Sequence, residues 1–252
     1  MLRARVGDRR DDVMAEEFED RDLRDAVFWG VDLTGATFRD VNLTDVTISH
    51  ARLVDVDIDA EVQRLTVNGV DVTAYVNAHD PWYPLRSMLR PDDVAGMHET
   101  WDALESTWAT TLERARRLPE AALLEPVAGE WSFRDTLRHL VFAMDKWFSA
   151  PLLGATSFES IGLANTGSVD FPWPGLDADA DPSVDDVLAV RAAQSARFRR
   201  FLDGLRLEDL PEHVEVLENG QEPAMACFHV VFEEEFEHHR YAVRDLAVLE
   251  RR

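Results

Sequence analysis

The run Glu233-Glu234-Glu235-Phe236-Glu237-His238-His239 places a carboxylate one helical turn ahead of an imidazole twice over, as Glu234 with His238 and as Glu235 with His239. Side chains four apart share a helix face, so either pair can offer two ligands to one divalent metal ion. A wheel at about 100° per residue separates the two pairs. Met225, Phe228, Phe232, Phe236, Val243 and Leu246 form one apolar stripe, with His239 inside it and Glu235 at its margin. Glu234 and His238 fall outside, beside Tyr241 and Asp245. The wheel therefore favours Glu235 with His239 and leaves Glu234 with His238 as the alternative register. An ionised Glu235 against that stripe costs several kcal/mol unless it is paired, protonated or metal-bound. A salt-bridged face neutralised by Arg240 and Arg244 is the competing reading.

His139, in Leu137-Arg138-His139-Leu140-Val141-Phe142, is the candidate third ligand. It flanks an apolar arc beside Thr136 and Ala143, which suits the wall of a cavity. Two imidazoles and one carboxylate suit zinc first, with nickel or ferrous iron as alternatives, and three protein ligands leave a coordination position open. Arg240 is a candidate anchor for a substrate carboxylate. Cys227 reads as a packing residue, because no basic partner is fixed beside it.

Four helices are needed to hold these groups, and four are legible from residue 91 onward. Met97, Trp101, Leu104, Trp108, Leu112 and Ala115 make the stripe of the first, which ends before Pro119. The second starts at Ser132, a cap with Asp135 three residues on, and carries Phe133, Leu137, Leu140, Met144 and Trp147 before Pro151. After a long loop rich in Gly and Pro, the third begins near Ser183 and buries Val187, Val190, Phe198, Phe201 and Leu205. The fourth runs from about Pro223 toward Arg251 and carries both Glu/His pairs. Four amphipathic helices predict a bundle, a fold that builds metal sites from facing helices.

The N-terminal part has a different period. Phe18, Leu23, Phe28, Leu33, Phe38, Leu43, Ile48, Leu53 and Ile58 recur every five residues, and Ala or Val stands two positions before most of them. Neither helix nor strand has that period. Units such as Val31-Asp32-Leu33-Thr34-Gly35 and Val41-Asn42-Leu43-Thr44-Asp45 resemble pentapeptide repeats, which implies a short right-handed β-helix of about two coils. A stack this short needs a neighbour to cover its open end. Asn68-Gly69 suggests a turn between two short extended runs. The domain reading is a repeat β-helix over 16–75, a linker over 76–91 marked by Pro81, Pro84 and Pro91, and a helical bundle over 92–252.

The 252 residues are 46% hydrophobic, enough for a sizeable core, and the net charge of -23 argues against direct nucleic-acid binding. The first 25 residues are crowded with Arg, Asp and Glu, and no segment approaches about twenty uninterrupted apolar residues. Neither a signal peptide nor a membrane span is expected. With Cys227 as the single cysteine, no intramolecular disulfide can form, and the cytoplasm is the expected location. Lys146 is the sole lysine among many arginines, a bias that fits a coding sequence rich in G and C, as in actinobacteria.

The order Glu130-Trp131-Ser132, then Leu137-Arg138-His139-Leu140, then Glu235-x-x-x-His239-Arg240 and Arg244-Asp245-Leu246 resembles the DinB-like superfamily of four-helix metalloproteins over roughly 92–250. The resemblance implies one divalent metal on His139, Glu235 and His239, with glutamate where histidine is commoner, as in the mycothiol-dependent maleylpyruvate isomerase branch. It further implies thiol chemistry, an S-transferase or isomerase using mycothiol, bacillithiol or glutathione against an electrophile. A metal-hydroxide hydrolase is a variant of the same class. The second reading is a non-catalytic, metal-stabilised protein whose repeat stack contacts a protein partner, and the sequence leaves both open.

Overall fold

The computed structural model describes residues 16–18, 21–39 and 41–252, which fall into two compact units, Met1–Ile58 and Asp59–Arg252. In the first unit, corners recur every five residues. Asp25, Gly30, Gly35, Asp45, His50 and Asp55 all adopt left-handed φ between 54° and 79°. Asp22, Asp32 and Asn42 accept the backbone N–H two residues on, at 3.1, 3.0 and 2.9 Å, so each side chain closes its own turn. The expected β-helix is not closed, however. No strand pairing joins successive coils among the described residues, and the large side chains stay 45% (Leu23) to 67% (Ile48) exposed. The period is a local property of the turns. An axial core needs coil upon coil, and about two coils offer only one such contact.

The second unit opens with two short strands, β1 (Thr66–Val67) and β2 (Val70–Asp71), paired antiparallel around Asn68 and Gly69 at φ 52° and 79°. Both turn residues need positive φ, which is what Asn-Gly supplies. Two short helices follow, α1 (Thr73–His79) and α2 (Tyr83–Arg86). The segment 59–91, which the sequence divides between repeat and linker, belongs to this unit. Arg86 donates to the Ala60 carbonyl at 2.5 Å and to Asp59 at 3.2 Å, while Trp82, Leu85 and Leu89 pack on the helical core.

Helix α3 (Val94–Ala115) starts where Asp93 accepts from Gly96 N at 2.7 Å, and buries Met97, Trp101, Leu104 and Trp108. Short α4 (Glu120–Leu123) leads to α5 (Phe133–Met144), capped by Ser132, whose Oγ accepts from Asp135 N at 3.1 Å. From Thr136 to Met144 every residue of α5 is buried, so it is the central helix. It does not stop before Pro151. A π-helical turn over Asp145–Ser149 passes into α6 (Ala150–Leu153), where Pro151, having no N–H to donate, falls in the first turn. Buried Asp145 holds this junction by accepting from Glu159 N at 2.7 Å and Gln194 Nε2 at 3.0 Å.

The long loop 154–183 folds back on α5, with Phe158 and Trp173 against Phe142. Gly175 permits this: at φ 82°, a Cβ there would lie 2.0 Å from Ser157 Oγ. Helix α7 (Val184–Gly204) begins at a full capping box of Ser183 and Asp186. The hairpin β3 (His213–Val216) and β4 (Gly220–Pro223) then delivers the chain into α8 (Ala224–Leu249). Helix α8 packs on α3 and α5, α5 packs on α7, and α3 packs less extensively on α7. The two larger of the four core clusters run along the bundle, one around Trp101, Phe198, Phe232 and Phe236 and one around Trp108, Leu137, Val187 and Leu246. No helix of the described residues is long and apolar enough to cross a membrane.

Candidate metal centre

Helices α5 and α8 meet at a seam where His139, Glu234 and His238 bring one ligand atom each within 4.8 Å of one another. His139 Nε2 stands 3.3 Å from Glu234 Oε2, and His238 Nδ1 stands 3.2 Å from the same oxygen. Donor atoms about 2.0–2.1 Å from a tetrahedral zinc ion lie roughly 3.3 Å apart, so the spacing fits such an ion. The tautomer of His139 fits as well. His139 Nδ1 lies 3.0 Å from the Leu163 carbonyl of the long loop, so with Nδ1–H donating there its Nε2 lone pair faces Glu234, the usual outer support of a metal-binding histidine. His238 Nδ1 lies between the Glu234 carboxylate and the Glu234 carbonyl, 3.0 Å from the latter.

Trp131, just before the Ser132 cap, lies against both imidazoles, with centroids 4.7 Å from His139 and 6.2 Å from His238. Burial works against ionisation of Glu234, but the His139 hydrogen bond and the charges of His139, His238 and Lys146 outweigh it and hold the carboxyl below its ordinary range. Burial and then the charge of His139 push the His238 imidazole down to about 4, so near neutrality it is an uncharged donor.

Lys146 sits further along the same face of α5, in the π-helical turn. Its Nζ donates to Glu218 Oε2 at 2.8 Å and lies 5.1 Å from the Trp173 ring centroid. Ser168 donates to the same Glu218 oxygen at 2.7 Å, and Glu218 holds a left-handed φ of 73° at the tip of the β3–β4 turn. This ties the sole lysine to the hairpin and the long loop at once.

The pair that the wheel favours, Glu235 and His239, is not brought to His139. Both are buried on the core side of α8, as the wheel places them, but each has another partner. Glu235 Oε2 accepts from Arg191 Nη2 of α7 at 2.8 Å. His239 Nε2 lies 2.7 Å from Thr111 Oγ1 of α3, between the rings of Trp82 and Trp108. The reason is geometric: the apolar stripe marks where α8 faces the middle of the bundle, whereas a two-helix ligand set must sit off the stripe, at the seam. Arg240 is not free to anchor a substrate, since it pairs with Asp59 and with Glu237 at 2.9 Å and lies over Trp82 and Phe236. Sequence reasoning also missed the Leu163 carbonyl, Lys146 and Arg191. Only Trp131, adjacent to the helix cap, carried a usable signal.

The buried His239 makes the bundle acid-sensitive. Its Nδ1 has no partner among the described residues, and burial followed by the Arg114 charge lowers its pKa to about 4. Between about pH 6.5 and 4 the unfolded chain binds a proton there that the folded chain does not, so stability falls as pH falls, by up to about 3 kcal/mol. Urea titrations of metal-free protein at about pH 7.5 and about pH 5 should show this loss, and His239→Gln should reduce it, leaving the share of His238, whose imidazole burial lowers in the same way. Equal pH slopes in the two proteins would contradict the assignment.

The family model for the DinB superfamily matches residues 103–242, and that for pentapeptide repeats matches residues 22–58 in eight copies. No curated protein and no solved structure matches the chain.

Proposed function

Because the chain belongs to the DinB superfamily, we propose that it is a divalent-metal protein that uses a low-molecular-weight thiol, mycothiol first, in S-transfer or isomerisation. The observation that carries the reading is the convergence of His139, Glu234 and His238 at one seam. These residues would hold the ion, zinc before nickel or iron, as two neutral imidazoles and one carboxylate. Bound there, the ion supplies Lewis acidity that lowers the pKa of a thiol at the open position. The chain's own part is to orient His139 through the Leu163 carbonyl and to shield the imidazoles from water with Trp131.

The test is calorimetry of zinc-replete protein with mycothiol, bacillithiol and glutathione, followed by turnover with an activated alkene or haloarene. Saturable binding of one thiol, absent in His139→Ala, is the expected result. Zinc-replete protein that neither binds nor consumes any of the three would leave the second reading, a metal-stabilised interaction protein. One observation favours that reading independently: the repeat unit exposes a row of Leu, Phe and Ile. A β-helix closed against a protein partner would cover it.

A further inference from the structure

Of the four seams between neighbouring long helices, the one between α3 and α7 is the most loosely packed. A cavity of about 300 Å³ lies there and reaches Met144 of α5 and Glu235 of α8. Its volume is at the lower end of pockets that hold small organic ligands, about 300–1,000 Å³. Trp101, Leu104, Trp108 and Leu188 make its walls largely apolar.

The polar groups in the lining are unevenly satisfied. Both carboxylates are taken: Glu105 accepts from Ser195 and Arg199, and Glu235 accepts from Arg191. Donors remain. Arg191 gives one Nη to Glu235 and lies 5.3 Å over the Trp108 ring, and its other N–H groups have no protein partner among the described residues. The indole N–H of Trp101, a side chain 3% exposed, has none either. Arg116, also in the lining, has no carboxylate partner among the described residues. An apolar slot with surplus donors is complementary to a guest that has an apolar body and acceptor oxygens. A guanidinium with a free edge matches a carboxylate in particular.

We propose that the α3–α7 slot is a second ligand site, separate from the metal centre, that binds a small aromatic carboxylate, with the carboxylate on Arg191 and the ring between Trp101 and Trp108. The two sites lie on different faces of α8, since Glu234 meets His139 while Glu235 meets Arg191. This assignment does not depend on the thiol reading.

The test is calorimetric titration of the full chain with 2-naphthoate. Saturable binding in the micromolar range is expected, with 2-naphthamide at least tenfold weaker because it lacks the charge. Ala192→Trp fills the slot without touching any of its charges and should abolish binding, and Ala109→Phe on the opposite wall provides a second filled variant should the first fail to fold. His238→Ala should bind as the wild type does. Absence of saturable binding, equal affinity for acid and amide, full binding in the filled variants, or loss of binding in His238→Ala would each overturn the proposal.

Discussion

His238→Ala should lose its divalent metal while His239→Ala keeps it. Elemental analysis and competition with a chromogenic chelator measure both. Structural zinc sites are worth about 10–16 kcal/mol over four ligands, so removing one ligand lowers affinity by about a hundredfold or more. His239 has no ligand to share an ion with, because Glu235 is held by Arg191 and the imidazole itself lies against Thr111 and between two indoles. Its replacement should cost stability and leave occupancy near that of the wild type. The opposite pattern, metal lost in His239→Ala and kept in His238→Ala, would return the site to Glu235 and His239.

Arg191→Met should destabilise the bundle by about 3–5 kcal/mol, the range seen when one partner of a buried ion pair is removed. Glu235 carries the effect. Its side chain is 5% exposed, and Arg191 is the only fixed cation paired with it among the described residues. Removing both charges together, in Arg191→Met with Glu235→Leu, should recover most of the loss, since an apolar pair of similar volume avoids burying an uncompensated carboxylate. Denaturant unfolding of the wild type, both single variants and the double variant gives the coupling energy. A loss below about 1 kcal/mol in Arg191→Met would mean that water reaches Glu235 and that the pair behaves as a surface one.

The helices were legible because their determinants are local. Ser132 and Ser183 announce two starts, Asn68-Gly69 announces a turn, and periodic apolar residues mark what each helix buries. The same wheel also found that Glu235 needed compensation, which the Arg191 pair supplies. It pointed to Glu235 with His239 where the structure brings Glu234 and His238 to His139, because the choice depends on where α5 lies around α8, and one residue of register is about 100° of rotation. Partners such as Arg191, Thr111 and the Leu163 carbonyl come from segments far away in the chain, and no periodicity encodes them. The repeat failed in the opposite sense. The corners at 25, 30, 35, 45, 50 and 55 formed where the five-residue spacing put them, yet correct corners do not close a solenoid when so few coils stack.

The burial of Lys146 and Cys227 has a practical consequence for anyone attaching a probe to this protein. The only lysine is 8% exposed and salt-bridged to Glu218, so activated esters find no accessible ε-amine. The only thiol is wholly buried, and desolvation pushes it up to about 11, so maleimides find no thiolate. Both standard bioconjugation chemistries are therefore silent toward the native side chains. A cysteine introduced at an exposed site such as Glu208 becomes the single reactive position, and a dye or spin label placed there reports from one known point with no background to subtract.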